Sequence, residues 1–279
     1  MSLIIKGVSK RFITKTKETL TLDDINISFK DGEFVCLLGP SGCGKSTLLN
    51  IIAGLEKPTQ GKVILDDKEI NSVGVDRAMM FQDSALFPWL KVIDNVEFGM
   101  KMAGISKEER REKAVKYLRM VHLTKFQNSY IHELSGGMKQ RVSLARALTL
   151  DSKVLLMDEP FSALDSQTRS ILQTQLQKIW MQTKKTIVFV THNVEEAVLL
   201  ADRVVVMAAN PGKIKGEFNI KLARPRTIEN TDLAYIVAQV MSELKEEVEK
   251  VAKAEYDSGW SIEENSILHD PDNNMGNGI

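Results

Sequence analysis

The apolar positions of the chain form two patterns, short unbroken runs and longer repeats at helical spacing. Unbroken runs are typical of strands that are buried on both faces of a parallel sheet, and they occupy residues 34–38, 154–157 and 186–190. Helical spacing appears between the runs, at residues 46–55, 137–148 and 167–181. This alternation predicts a βαβ core of the α/β class with a doubly wound, mostly parallel sheet.

Two further regions differ from this core. Residues 3–8 and 19–29 alternate polar and apolar side chains, which predicts antiparallel strands at an exposed sheet edge and hence an N-terminal antiparallel β subdomain. Strand-like runs stop between about residue 88 and residue 140. Ser106 precedes a charged helical pattern there, as an N-cap residue would. We therefore expect an α-helical subdomain inserted over about residues 88–140 of a domain that spans residues 1–225.

The chain after residue 225 is expected to form an extension, residues 226–279. Its apolar residues recur at helical spacing with Glu and Lys on the opposite face, which predicts an amphipathic helix. The repeating apolar positions are Leu233, Ile236, Val240, Leu244, Val248 and Val251. The pattern leaves open whether this helix packs on the core or on a partner. The polar, Gly- and Asn-rich residues 270–279 are expected to be disordered.

Composition and charge narrow the class of protein. Lys plus Arg equals Asp plus Glu, 37 against 37, so the basic surplus that nucleic-acid binders carry is absent and no nucleic-acid partner is expected. The two cysteines, Cys36 and Cys43, predict reduced thiols. The N-terminus lacks a signal-peptide pattern, and no apolar run reaches the roughly 20 residues of a membrane span. We therefore expect that any membrane is reached through a partner.

A glycine-rich segment joins the first buried run to the first helical repeat. Its pattern, G-x-x-x-x-G-K-S, allows backbone N–H groups to surround a polyphosphate, and the following helix adds the positive end of its dipole. Lys45 would reach the β- and γ-phosphates, and Ser46 would hold Mg²⁺. The base remains open, since the loop contacts only phosphates. The predicted nucleotide-binding residues are Gly39, Pro40, Ser41, Gly42, Cys43, Gly44, Lys45, Ser46 and Thr47.

Polar residues follow the other two buried runs. Asp158 ends the second run and would hold Mg²⁺, and Glu159 would activate or orient the attacking water. His192 follows the third run and would contact the γ-phosphate at the same sheet edge. The alternatives are a capping Asp-Glu pair at a strand end and a structural histidine.

A second anion-binding helix terminus is predicted at Ser135, Gly136 and Gly137, which precede a helical repeat. One nucleotide needs only one such terminus, so the surplus indicates a site that two chains share. The segment Leu-Ser-Gly-Gly-Met-Lys-Gln-Arg at residues 134–141 resembles the signature motif of the ABC ATPase family. The order of the phosphate loop, Gln82, signature, acidic pair, Ser-Ala-Leu-Asp at residues 162–165 and His192 also resembles that family, over about residues 3–220.

The resemblance implies roles for further residues and makes ATP the nucleotide. Phe12 would stack on adenine, or else be a core phenylalanine. Gln82 would contact Mg²⁺ and the attacking water and link them to the helical subdomain. Ser135, Gly136 and Gly137 would bind the γ-phosphate held by the opposite subunit. Asp165 would lie in a loop that crosses the interface of an ATP-sandwich homodimer.

The number of motif sets and the segments around them indicate the branch of the family. The chain has one set of motifs, no long coiled-coil insertion and no fused membrane helices, which is typical of an importer subunit. Phe-Pro-Trp-Leu at residues 87–90 resembles the nitrate, sulfonate and taurine importers. This implies a transmembrane permease, an extracytoplasmic solute-binding protein and a peripheral place on the cytoplasmic membrane face. The aromatic cluster would receive the permease or anchor the helical subdomain. The alternative is a non-transport ABC ATPase that acts on a soluble partner.

Overall fold

The computed structural model describes residues 2–14 and 18–255. Over the described residues, strands and helices alternate along most of the chain. Two single-turn 3-10 helices lie at Thr124–Phe126 and Ile131–Glu133. The other elements, in order, are β1 (Leu3–Ile13), β2 (Glu18–Phe29), β3 (Phe34–Leu38), α1 (Lys45–Ala53), β4 (Gln60–Leu65), β5 (Lys68–Glu69), β6 (Arg77–Met80), α2 (Val92–Met102), α3 (Lys107–Met120), α4 (Gly136–Thr149), β7 (Val154–Asp158), α5 (Ser166–Thr183), β8 (Thr186–Thr191), α6 (Val194–Leu200), β9 (Arg203–Ala208), β10 (Lys213–Asn219) and α7 (Thr231–Glu255).

The main sheet has six strands in the order β10-β9-β3-β8-β7-β6. All neighbouring pairs are parallel except β9 and β10. The three strands that the unbroken apolar runs predict, β3, β8 and β7, are adjacent at its centre, where burial on both faces requires apolar side chains throughout. The α/β class with a mostly parallel sheet is confirmed. Because β3, β7 and β8 point the same way, the residues that follow them meet at one edge.

The second sheet is antiparallel, with the order β2-β1-β4-β5. The N-terminal antiparallel β subdomain is therefore confirmed, but the placement of residues 3–8 at an exposed edge is wrong. Strand β1 lies between β2 and β4, and its side chains Leu3, Ile5 and Val8 are fully buried. The error arises because β4 begins with Gln60, Gly61 and Lys62, which carry little of the alternating apolar pattern that would predict a strand covering β1.

The helices α2, α3 and α4 pack against one another through buried side chains such as Val96, Leu118 and Leu144. Ser106 is the N-cap of α3, as predicted, and its hydroxyl accepts a hydrogen bond from the backbone N–H of Glu109 at 3.3 Å. Helix α4 leads from this helical layer directly into β7 of the main sheet. It therefore connects the inserted helices mechanically to the strand that carries Asp158.

Helix α7 packs on the core, beside α6 and β9, which decides between the two alternatives for the amphipathic pattern. Leu233, Val240 and Leu244 are buried there. The segment before α7 is anchored by Arg226, whose guanidinium donates hydrogen bonds to the carbonyl oxygens of Val198 and Ala201 at the end of α6. The expected disordered tail, residues 270–279, lies outside the described residues.

Within residues 2–14 and 18–255, no helix is both long and apolar enough to cross a bilayer.

Candidate nucleotide-binding and hydrolytic site

The predicted phosphate loop connects β3 to α1, so it lies at the carboxyl edge of the main sheet. Gly44 is the N-cap of α1 and has a φ of 92°, in the left-handed region that favours glycine. A Cβ at this position would lie 2.6 Å from Leu22 Cδ2 of β2. Glycine is therefore required for both the turn and the close approach of the antiparallel sheet. The free N–H groups of the first turn of α1 face the loop, as an anion site requires.

Lys45 is buried, with 5% of its surface exposed. Its ammonium donates hydrogen bonds to the carbonyl oxygens of Gly39 and Pro40, both at 2.8 Å. These two bonds fix the ammonium within the loop, and its third N–H donates to a weak acceptor, the sulfur of Cys43, which an anion would replace. Cys43, whose sulfur lies 3.7 Å from the ammonium, is fully buried, and burial raises the pKa of its thiol. Cys43 thus forms the inner wall of the loop as a neutral side chain.

A cleft of about 560 Å³ opens over this loop. It joins the antiparallel sheet, the phosphate loop and the ends of β6 and β7. The lining residues are Phe12, Thr21, Ser41, Gly42, Gly44, Lys45, Ser46, Thr47, Gln82 and Glu159. The structure thus brings together predicted residues from four separate parts of the sequence. Thr21 is the one lining residue that the sequence analysis did not identify, because its position in an alternating strand carries no sign of a site.

The acidic pair lies at the end of β7. Asp158 Oδ1 accepts a hydrogen bond from the Ser46 hydroxyl at 2.9 Å, so two of the three predicted Mg²⁺ ligands are in contact. Burial raises the pKa of Asp158, and the Ser46 hydrogen bond acts in the opposite direction. The oxygen donors of Ser46 and Asp158 are of the kind that Mg²⁺ prefers, so the residues fit that ion.

Glu159 lines the cleft and is held in an unusual backbone conformation, with a φ of 41°. Its backbone N–H donates to the carbonyl oxygen of Val190 in β8 at 3.0 Å. Its Oε2 lies 3.1 Å from Nδ1 of His192. Non-glycine residues with positive φ persist where surrounding contacts fix them, and such positions are frequent at functional sites. The predicted base and the predicted γ-phosphate ligand are thus hydrogen-bonded partners.

Gln82 follows β6 and connects the cleft to the helical layer. Its Nε2 donates to Ser162 Oγ at 3.4 Å, and that hydroxyl donates to the carbonyl oxygen of Glu159 at 3.0 Å. Gln140 of α4 donates from Nε2 to the backbone carbonyl of Gln82 at 3.0 Å. A displacement of α4 would therefore move the backbone at Gln82 through this hydrogen bond. Gln140 and Ser162 lie in motifs that the sequence shows, but their contacts with Gln82 depend on tertiary packing and were not predicted.

The signature residues lie at the N-terminus of α4 and do not line the cleft. Ser135 is exposed and is the N-cap of α4, with its hydroxyl accepting from the backbone N–H of Met138 at 3.4 Å. A Cβ on Gly136 would meet no atom within 4 Å. Gly137 is buried against Thr168 of α5. This second anion-binding terminus is open to an approaching molecule, and it is separate from the loop at Lys45.

Asp165 and Phe12 complete the predicted set. Asp165 is the N-cap of α5, and its Oδ1 accepts from the backbone N–H of Thr168 at 2.9 Å. That hydrogen bond lowers the pKa of Asp165. Phe12 has 39% of its surface exposed, so it is not a core side chain. The ammonium of Lys10 lies 4.8 Å from the centre of the Phe12 ring, which leaves the other ring face for a planar ligand.

The aromatic segment at residues 81–90 is partly buried against the helical layer and partly exposed. The Phe87 ring packs 4.4 Å from that of Phe98 in α2, centre to centre. The buried side chain of Asn95 accepts from the backbone N–H of Phe87 and donates to the carbonyl oxygens of Phe87, Leu90 and Lys91. Trp89, in contrast, has 71% of its surface exposed. The segment is thus anchored to the helical layer and presents one large aromatic side chain outward.

Comparison with known proteins identifies the family. Residues 22–162 match the family described as ABC transporter. The chain is 49% identical over 253 residues to an uncharacterized ABC transporter ATP-binding protein of Methanocaldococcus jannaschii, covering 91% of this chain and 95% of that protein. It is 48% identical to the nitrate import ATP-binding protein of Synechocystis sp., covering 80% and 84% of the two chains. It is 47% identical to the taurine import ATP-binding protein of Pelagibacter ubique, covering 79% and 84%.

Solved structures agree with the sequence relatives. A dimeric ATP-binding cassette in a post-hydrolysis state, bound to ADP and Pi, superposes with a TM-score of 0.71 at 34% identity, over 79% of this chain and 100% of that one. The sequence relatives are named as ATP-binding proteins, and the solved cassette is in a state that follows hydrolysis. The chain therefore belongs to the ABC transporter family as an ATP-binding subunit that hydrolyses ATP.

Proposed function

We propose that the chain is the ATPase subunit of an importer and works as a homodimer on a separate transmembrane permease. The observation that carries this proposal is the separation of two anion-binding helix termini, one behind Lys45 in the cleft and one at Ser135 on the exposed end of α4. A single chain cannot use both termini on one nucleotide. A second copy that places its Ser135 over the first chain's cleft would.

Nucleotide binding in this proposal uses the antiparallel sheet and the phosphate loop together. Phe12 stacks on adenine, and the ammonium of Lys45 exchanges the Cys43 sulfur and one loop carbonyl for oxygens of the β- and γ-phosphates. Ser46 and Asp158 hold Mg²⁺, with Gln82 at the border of the same cleft. When bound, the ion neutralises charge on the phosphate oxygens during transfer.

Hydrolysis in this proposal depends on Glu159 and His192. Glu159 accepts a proton from the attacking water, and its strained backbone is held by β8 so that the carboxylate faces the cleft. His192 orients this carboxylate through their hydrogen bond and contacts the γ-phosphate. Gln82 positions the water, and its backbone carbonyl is hydrogen-bonded to Gln140 of α4.

Closure of the dimer would add Ser135, Gly136 and Gly137 of the second copy to the γ-phosphate. The open space around Gly136 supports this, because a phosphate can approach the backbone closely there. Asp165, at the N-terminus of α5, crosses the interface. The dimeric cassettes among the structural relatives support a homodimer.

The permease would dock on the helical layer beside the exposed Trp89. The nitrate and taurine import proteins among the relatives support nitrate, a sulfonate, taurine or a related small solute as the cargo. An extracytoplasmic solute-binding protein would deliver it, and the chain would lie peripherally on the cytoplasmic membrane face. We assign residues 1–225 to the ATPase domain, including a helical subdomain at about 88–140, and residues 226–279 to an extension.

The test is co-expression of the tagged chain with candidate permease and solute-binding subunits from the same genome, followed by reconstitution of the purified complex in liposomes. We expect ATP-dependent accumulation of nitrate or taurine, and none when Glu159→Gln replaces the native chain. A chain that copurifies with no polytopic membrane protein would refute the proposal. ATPase activity that a soluble partner or a nucleic acid stimulates would then favour a non-transport ATPase.

A further inference from the structure

A buried carboxylate lies behind the hydrolytic residues and outside the set assigned above. Glu196 is in α6, the helix that follows His192, and has 5% of its surface exposed. Its Oε2 accepts a hydrogen bond from the Thr191 hydroxyl at 2.6 Å, and Thr191 directly precedes His192. The Thr191 hydroxyl in turn accepts from the backbone N–H of Asn193 at 3.0 Å. Glu196 therefore fixes the backbone on both sides of His192.

The other carboxylate oxygen of Glu196 binds a different helix. Its Oε1 accepts from Gln173 Nε2 of α5 at 3.0 Å, and Gln173 is also buried. Helix α5 begins immediately after Asp165. One turn before Gln173, Arg169 donates to the carbonyl oxygen of Leu164 at 2.8 Å. The side chains of α5 thus connect the Asp165 loop at one end with Glu196 at the other.

Two small cavities separate Arg169 from Glu196. They measure about 40 and 120 Å³, and both are lined by Arg169, Asn193 and Glu196. The smaller one also contacts Glu159 and His192. The larger is wide enough for ordered water, and the buried Nε of Arg169 has no hydrogen-bond partner among the described residues. The region between α5 and His192 is therefore polar and incompletely packed, and the hydrogen bonds of Glu196 connect its two sides directly.

We propose that Glu196 is a positioning residue that couples the Asp165 end of α5 to His192, so that contact with the second subunit sets the geometry of the hydrolytic pair. This inference rests on the proposed dimer. A shift of α5 moves Gln173, Gln173 displaces the Glu196 carboxylate, and that carboxylate carries Thr191 and the adjacent His192. The two contacts that Glu196 makes in this route, with Gln173 and with Thr191, are direct hydrogen bonds between side chains that are at least nine-tenths buried. Such buried bonds resist breaking because an unpaired partner is costly.

The first experiment compares Glu196→Leu with Glu195→Leu, a change at the neighbouring exposed carboxylate, in the purified full-length chain. We expect Glu196→Leu to lower kcat for ATP hydrolysis about 10- to 100-fold, because a misplacement near 1 Å is enough for such a loss. The KM for ATP should stay within about twofold, since no phosphate-loop contact changes. The Hill coefficient should fall toward one. Glu195→Leu should leave all three values as in the wild type.

A second experiment separates coupling from folding. Gln173→Glu places two carboxylates in contact inside the protein and should impair hydrolysis severely. In the double variant Gln173→Glu with Glu196→Gln, the amide and the carboxylate exchange helices. Glu at 173 then accepts from the amide of Gln at 196, whose oxygen still accepts from Thr191. We expect the double variant to recover kcat and the Hill coefficient to within about threefold of wild type.

Three results would overturn the proposal. Wild-type kcat and Hill coefficient in a folded Glu196→Leu protein would show that Glu196 has no positioning role. If the variant has a lower melting temperature, a kcat reduced in proportion to the unfolded fraction and an unchanged Hill coefficient, Glu196 has a structural role only. Failure of the double exchange to restore activity, with a wild-type melting temperature, would exclude the coupling route. The Glu159→Gln protein separates these failures from a failure of the proposed function. If it is inactive, the proposed function stands whatever the Glu196 variants show, and if it is active, the proposed function and the role of Glu196 are both refuted.

Discussion

The Ser46 hydroxyl donates a hydrogen bond to Asp158 Oδ1 across 2.9 Å, although 112 residues separate them in sequence. Ser46 lies in the first turn of α1, after β3, and Asp158 ends β7. Strand β8 lies between these two strands, and all three run parallel. The contact is thus a direct consequence of parallel strands ending at one sheet edge. It places two oxygen ligands side by side before any ion binds.

The cost of burying Asp158 predicts a pH-dependent stability. Burial raises the pKa of Asp158 above its ordinary value near 4. At pH values between the unfolded and the folded pKa of Asp158, the folded state therefore binds more protons than the unfolded chain. The contribution of Asp158 to stability is full below the unfolded pKa and is lost as the pH rises through the folded pKa.

Asp158→Asn should consequently stabilise the nucleotide-free protein at pH 7, since Asn keeps an acceptor for the Ser46 hydroxyl but carries no charge. The difference in unfolding free energy between variant and wild type should shrink as the pH falls toward about 4. Denaturant titrations without Mg²⁺ between pH 4 and pH 8 would measure it. A difference that does not change with pH would contradict this account of Asp158.

Lys45→Ala should abolish useful ATP binding. Two charge-assisted hydrogen bonds to phosphate contribute roughly 1.5–3 kcal/mol each, so their loss should raise the Kd by about 100-fold or more. Calorimetric titration with ATP measures this, and circular dichroism checks that the loop carbonyls of Gly39 and Pro40 tolerate the loss of their donor. Lys62→Ala, at an exposed lysine in β4, is the matched control for charge. Unchanged ATP affinity in a folded Lys45→Ala protein would remove Lys45 from its predicted role.

Glu159→Gln should bind ATP normally and hydrolyse it 10²- to 10⁴-fold more slowly, the range expected for loss of a general base. The amide can keep the hydrogen bond to His192, so the local geometry should persist. Because hydrolysis would release the dimer, the variant should accumulate as an ATP-bound dimer in size-exclusion chromatography with light scattering. Wild-type turnover would show that another group accepts the proton.

The central strands could be predicted because each is an unbroken apolar run, and β3, β8 and β7 have both faces buried. The edge strand β6 was not predicted, since it has four residues and begins with Arg77. Strand β9 was also missed, although it is an interior strand between β10 and β3 and the apolar run at residues 204–207 was sufficient to predict it. Edge strands carry a weaker pattern because water reaches one of their sides.

The residues of the candidate site were found through their short motifs, but the bonds between them were not. The hydrogen bond from Gln140 to the carbonyl of Gln82 joins α4 to a loop 58 residues away in sequence. Asn95 likewise holds three backbone positions of the aromatic segment. A polar residue inside a helical repeat gives no sign of its partner in sequence. Such partners follow from tertiary packing, which fixes direction and distance together.

Ser135→Arg should spare ATP binding by the monomer and block closure of the dimer. The residue is exposed at the end of α4, so arginine fits the monomer but would fill the space intended for the second copy's phosphate. Loss of the N-cap costs about 1 kcal/mol by itself. Ser135→Ala, which loses the cap without adding bulk, is therefore the matched control. Cooperative hydrolysis at the wild-type level in Ser135→Arg would contradict a shared site.

Gly137→Ala should destabilise the fold, and Gly136→Ala should not. A Cβ at Gly137 would lie 2.4 Å from Thr168 Cγ2, whereas a Cβ at Gly136 would meet no atom within 4 Å. Overpacking of this kind costs roughly 1–3 kcal/mol, partly offset by the higher helix propensity of alanine. Gly137→Ala should thus lower the unfolding free energy by about 1 kcal/mol in urea titrations.

The same contact connects the signature helix to the Asp165 loop, because Thr168 donates its backbone N–H to Asp165. Thr168→Ser removes only the methyl group that the new Cβ would meet and leaves that backbone bond in place. The double variant Gly137→Ala with Thr168→Ser should therefore recover the stability of Thr168→Ser alone, and ATP-dependent dimerisation should recover with it. A penalty that persists in the double variant would mean that Gly137 is required for its backbone conformation and not for its contact with α5.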